Sequence, residues 1–117
     1  MVGRRTLLAG FAAPFFAPAA SAHSRLLDSR PRAGDTVSAG AGEFVLRFDE
    51  GAVLTSLRLF GPANAEVALT RARDATPAAE WRARHPALAP GPYRLEWRAL
   101  SADGHPIGGS IVFTVTA

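Results

Sequence analysis

The feature that most constrains this chain is a two-residue rhythm of apolar side chains, cut short again and again by glycine, proline and aspartate. Phe44, Leu46 and Phe48 alternate with Glu43, Val45 and Arg47, and Leu57 and Leu59 alternate with Ser56, Arg58 and Phe60. Tyr93, Leu95, Trp97 and Ala99 alternate with Arg94, Glu96, Arg98 and Leu100; Ile111, Phe113 and Val115 alternate with Val112, Thr114 and Thr116. Successive side chains of an extended strand point to opposite faces, so this spacing marks half-buried strands. Weaker segments of the same kind are Arg25–Asp28, Glu66–Leu69 and Glu80–Arg84. Turn-forming residues separate them at Arg30-Pro31, Ala33-Gly34-Asp35, Gly61-Pro62, Ala89-Pro90-Gly91-Pro92 and Asp103-Gly104. No stretch combines helical periodicity with caps, and Ala75–Glu80 has room for one helical turn at most. Seven short strands at this turn spacing predict an all-β fold: an antiparallel β-sandwich of immunoglobulin-like, Greek-key type, with a small closed barrel as the alternative. Trp97, on the longest strand, is placed at the centre of the core.

Residues 1–22 stand apart from that domain. Arg4-Arg5 precede a short apolar stretch, Thr6–Phe16, broken by Gly10 and Pro14, and Ala20-Ser21-Ala22 has the small-residue pattern of a cleavage site. The stretch is well short of the ~20 apolar residues that span a bilayer as a helix. It reads as a signal peptide cleaved after Ala22, leaving a mature domain at 23–117. The Arg-Arg pair followed by Thr6-Leu7-Leu8 also resembles a twin-arginine signal, with Gly3 where serine or threonine is usual, so both export routes stay open.

Composition narrows the chemistry. The chain contains no cysteine, no lysine and one methionine, Met1. Its 13 basic residues are all arginine and face 10 carboxylates, a formal charge of +3 that falls further once Arg4 and Arg5 leave with the signal. So small an excess argues against a nucleic-acid binder, which needs a clustered basic face. Without cysteine there are no disulfides, thiolate nucleophiles, iron–sulfur clusters or thiolate zinc sites. The mature domain holds no sulfur and must be stabilised by one apolar core.

Three histidines remain as ligands. His85, within Arg84-His85-Pro86, reads as a solvated loop residue. Cleavage after Ala22 makes His23 the first residue, and its α-amine and imidazole Nδ1 can then close a chelate ring on one metal ion; the alternative is a frayed, exposed terminus. His105 lies in Ser101-Ala102-Asp103-Gly104-His105-Pro106 between the two strongest strands. In extended backbone, residues i and i+2 point to the same side, so Asp103 and His105 can converge on one ion. The alternative is an Asp-Gly turn with an incidental histidine. An immunoglobulin-type topology brings the start of the first strand and the loop before the last strand to the same end of the sandwich. An amine, two imidazoles and a carboxylate suit Cu(II) in a planar arrangement; zinc competes but prefers a tetrahedral set.

With His23 at the mature N-terminus, Ser29-x-Pro31, Phe48-Asp49-Glu50, Leu88-Ala89-Pro90-Gly91-x-Tyr93, Trp97-Arg98 and the Ser101–Pro106 block resemble the CopC family of periplasmic copper-binding proteins over the whole mature chain. The resemblance implies a Greek-key β-sandwich that serves copper homeostasis or copper resistance in the bacterial periplasm, beside a multi-span inner-membrane copper protein, CopD. It implies His23, Asp103 and His105 as ligands of one Cu(II) per mature chain and Glu50 as an acceptor for the N-terminal amine. Such a protein is a binding protein and not an enzyme, and a monomer is expected. Two departures bear on this. Some members carry a methionine-rich Cu(I) site, for which the mature chain has no methionine, and some have a further histidine where Arg25 stands here. Both imply a single Cu(II) site. Two other functions stay open: a copper-dependent oxidative enzyme, since lytic polysaccharide monooxygenases also use an N-terminal histidine chelate, and a metal-free immunoglobulin-like adhesion or assembly domain.

Overall fold

The structure, a computed structural model, describes residues 24–117. The signal peptide expected at 1–22 and the ligand expected at His23 lie outside the described residues. The described residues form seven strands: β1 (Leu26–Arg30), β2 (Thr36–Ser38), β3 (Gly42–Phe60), β4 (Glu66–Val67), β5 (Ala78–His85), β6 (Gly91–Leu100) and β7 (Pro106–Thr116). Among the described residues the only helical element is a short 3₁₀ turn at Pro62–Asn64.

β3 belongs to both layers of the sandwich. Its first part pairs antiparallel with β1 and β5, and its second part pairs with β4 and β6. The second layer continues through the β6–β7 hairpin to β2, which runs parallel to the end of β7. The alternation at 43–48 and 56–60 predicts two strands here, and the structure has one. The reason is a break in parity. Phe44, Leu46, Phe48, Ala52 and Leu54 are buried on even positions, whereas Leu59 is buried on an odd one. Between Leu54 and Ser56 the register against β6 shifts. Such a bulge inserts a residue and turns the following side chains to the other face without ending the strand.

Three further expectations change. Thr36–Ser38 forms β2, although its three residues are too few to show a period. Ala75–Glu80 makes no helical turn; Ala78–Glu80 instead opens β5. His85 ends that strand and is half-buried rather than lying in a solvated loop. Its ring stacks on Phe44 with centroids 4.5 Å apart.

The core lies between the layers. Phe44, Leu46 and Phe48 from β3 meet Leu95 and Trp97 from β6 and Ile111, Phe113 and Val115 from β7. Trp97 is central, as expected, with Phe48 packed edge-on to it at 5.4 Å. Trp81 of β5 is a second buried indole; its Nε1–H donates to Ala52 O (2.9 Å) and Ala78 O (3.1 Å). That satisfies the one polar group such a ring brings into an apolar interior.

Candidate metal centre

The β6–β7 hairpin closes through a tight loop. Ser101 N–H donates to His105 O (2.8 Å), and Gly104 N–H donates to Ser101 O (2.9 Å). Gly104 sits at φ +87°, a left-handed conformation that glycine adopts without the Cβ penalty. This turn, and not the side-to-side alternation of an extended strand, brings Asp103 and His105 together. The His105 Nδ1 lies 2.9 Å from Asp103 Oδ2. The Ser101 hydroxyl donates to Asp103 Oδ1, and the His105 backbone N–H points at Ser101 Oγ (3.2 Å) and, more distantly, at Asp103 Oδ1 (3.4 Å). These contacts, the Ser101 hydroxyl foremost and His105 after it, hold the Asp103 carboxyl well below the usual carboxylate range. The loop thus presents a permanent anion against an imidazole whose side chain is 65% exposed.

The N-terminal segment is tied to the same loop. Ser24 is 2% exposed; its Oγ accepts from Ala102 N–H (2.9 Å) and donates to Gly51 O (3.1 Å). The next residue is clamped by Asp49: Arg25 N–H donates to Asp49 Oδ1 (2.7 Å), and Asp49 N–H donates back to Arg25 O (2.9 Å). The Arg25 guanidinium adds a looser contact to Asp49 Oδ2 at 3.4 Å. The Arg25 backbone N–H, chiefly, keeps the Asp49 carboxyl below its ordinary value. The start of the described chain therefore lies against the residue next to Asp103, as the immunoglobulin-type topology predicts.

Glu50 is exposed on β3, between Asp49 and Gly51, the two residues that hold Arg25 and Ser24. Among the described residues no group of three or more histidine, aspartate or glutamate side chains is placed to hold a metal ion. His85 accordingly does not join Asp103 and His105; its Nδ1 lies 2.8 Å from Pro86 O, and its ring covers Gly42. Sequence reasoning missed Ser24, Asp49 and Ser101. Asp49 was visible in Phe48-Asp49-Glu50, but a buried serine carries no signal until its partner is known.

The CopC domain profile matches residues 26–116 of this chain. The chain belongs to the CopC family. It is 32% identical to copper resistance protein C of Pseudomonas syringae pv. tomato over 125 aligned positions, covering 98% of each chain. It is 36% identical over 106 positions to copper resistance protein C of Escherichia coli, covering 82% of this chain and 83% of the relative. Among solved structures it superposes on CopC from Methylosinus trichosporium OB3b with a TM-score of 0.65, at 32% identity over 80% of this chain and 93% of that one. PcoC from Escherichia coli, a methionine-rich copper resistance protein, gives 0.63 at 34% identity over 81% and 100%. Against methionine-rich PcoC, the absence of methionine after Met1 is a clear difference.

Proposed function

We propose that this chain is a copper-binding protein of copper resistance and homeostasis in the periplasm, carrying one Cu(II) between its mature N-terminus and the β6–β7 loop. The observation that carries this is the Ser24–Ala102 hydrogen bond beside the Asp103–His105 pair. The peptide bond leaves His23 one Cα step, about 3.8 Å, from Ser24, so its amine and imidazole can join that pair. Two bonds of about 2.0 Å meeting at a right angle place their donor atoms about 2.8 Å apart. The 2.9 Å between Asp103 Oδ2 and His105 Nδ1 matches that spacing, so the two atoms can hold one ion between them. The donors are nitrogen and oxygen only, which favours Cu(II) over Cu(I). Glu50, held between the two tethering residues, is the acceptor for the amine.

The protein binds and hands over copper without chemical turnover, as a monomer, to an inner-membrane protein of the CopD kind. The relatives are named for copper resistance, which weighs against an oxidative enzyme. The absence of lysine supplies a clean test. After cleavage at Ala22, the α-amine of His23 is the only primary amine in the protein. Prior Cu(II) loading should protect it from an amine-selective acylating reagent, and prior acylation should lower Cu(II) affinity by orders of magnitude while leaving the fold intact. Equal copper binding by acylated and native protein would exclude this site.

A further inference from the structure

Strand β7 has an open edge beside the loop that holds Asp103 and His105. Gly34 N–H donates to Val112 O (2.7 Å) and Thr114 N–H donates to Asp35 O (2.9 Å), so the even-numbered residues of β7 turn their backbone groups away from β6. Gly108 and Ser110 share that parity. β2 covers the edge only at Thr114–Thr116, and among the described residues no strand pairs with β7 on this side between Ile107 and Ile111. The N–H and C=O groups of Gly108 and Ser110 therefore face outward, and Gly108, Gly109 and Ser110 are all exposed. Natural sheet edges are guarded by charged side chains, prolines or bulges. Here Pro106 guards only the beginning, and the Gly-Gly-Ser run presents nothing bulky.

The outer face of the hairpin adds a charge. Arg98 pairs with Gly108 on one side and Ser56 on the other, so the three share one row across the sheet. Arg58 is matched by Glu66 (2.9 Å) and Arg94 by Glu96 (2.7 Å), whereas Arg98 is exposed and has no ion pair among the described residues. Gly108 places no side chain between Arg98 and the open edge. A strand added along β7 would lie two strand spacings, about 10 Å, from β6, which an arginine and a glutamate can bridge together.

We propose that this edge receives an extended segment of a partner protein, which pairs its backbone with Gly108 and Ser110 and sets a carboxylate against Arg98. The segment is short, because Gly34 and Asp35 close one end and the Asp103–His105 loop closes the other. A bound partner is thereby held beside the candidate copper ligands. A second copy of this chain fits less well: two β7 strands paired antiparallel about Gly108 would set both Arg98 side chains in one row, and like charges in such a row repel. Strand docking needs no metal, so its test is independent of copper binding.

The test uses ¹⁵N-labelled, metal-free mature protein and a blocked heptapeptide of alternating threonine and valine with glutamate at its centre, beside the same peptide with lysine. Added peptide should slow amide exchange at Gly108 and Ser110. The glutamate peptide should bind about two- to fivefold tighter at low salt, the scale of one exposed ion pair, and Arg98→Gln should erase that preference. Ser110→Pro removes only an edge donor, so it should keep the fold and lose binding of both peptides. Unchanged exchange at millimolar peptide, equal binding of the two peptides, or protection of these amides that rises with protein concentration alone would each overturn the proposal; the last would mean that a second copy occupies the edge.

Discussion

Replacing Ser24 with alanine removes one oxygen atom from the seam between the N-terminal segment and the β6–β7 loop. That hydroxyl accepts from Ala102 N–H at 2.9 Å and donates to Gly51 O at 3.1 Å. In Ser24→Ala both backbone groups lose their partner. A hydrogen bond contributes about 1 kcal/mol net, and a polar group left buried without a partner costs about 1–3 kcal/mol. Water can reach the seam once the chain end loosens, which holds the cost to about 1 kcal/mol for each of the two groups, about 2 kcal/mol in all. With a urea slope of about 1 kcal/mol per molar, the unfolding midpoint should fall by about 2 M. Copper affinity should fall about tenfold, equivalent to 1.4 kcal/mol, because the residue after His23, the ligand proposed above, is no longer fixed to the loop. The assays are urea unfolding of the metal-free protein, followed by tryptophan fluorescence, and competitive Cu(II) titration. Equal midpoints for parent and variant would show that Ser24 is not the tie described here. A lowered midpoint with unchanged copper affinity would show that the seam serves only the fold and that His23 does not act with the loop.

Three other outcomes follow from the same structure. His105→Ala should weaken Cu(II) binding by a factor of 100 or more, about 3 kcal/mol, whereas His85→Ala should leave copper binding alone and cost about 1 kcal/mol of stability through its lost stacking on Phe44; calorimetric titration and urea unfolding of both variants separate the roles. Trp81→Phe keeps most of the buried ring but strands the Ala52 and Ala78 carbonyls, so it should lower stability by about 1–2 kcal/mol in urea unfolding without altering copper binding. The Asp28 and Glu66 carboxyls are held below their ordinary values, chiefly by hydrogen bonds from Arg32 and Arg58. Groups lowered in the folded state stabilise it above their unfolded pKa values and lose that contribution as pH falls through the folded ones. The urea midpoint of metal-free protein should therefore decline below about pH 4, less steeply in 0.5 M salt; a midpoint that rises on acidification would contradict these assignments.

Copper binding should itself weaken as pH falls. The amine and imidazole nitrogens proposed as ligands can hold a metal only without their protons, which Cu(II) titration at stepwise lower pH should show.

The sequence by itself determined the fold class and singled out Asp103 and His105, which the structure brings to 2.9 Å of each other. Alternation at Phe44–Phe48, Tyr93–Ala99 and Ile111–Val115 follows from the two-faced geometry of a strand, so it is written locally and survives without the tertiary structure. The absence of sulfur and the Asp103-Gly104-His105 block are equally local. What lay beyond the sequence depends on residues far apart in the chain. The bulge that makes β3 one strand shows only against its register with β6, and three residues of β2 are held by β7 rather than by any pattern of their own. The placing of Ser24 against Ala102, 78 residues away, is likewise a matter of packing. A hydrogen bond across that separation needs the whole sandwich to set its two ends at bonding distance. The inferred immunoglobulin-type topology already set the N-terminal segment and the Asp103–His105 loop at one end of the sandwich, but composition and periodicity describe one neighbourhood at a time, so only the folded chain shows which atoms join them.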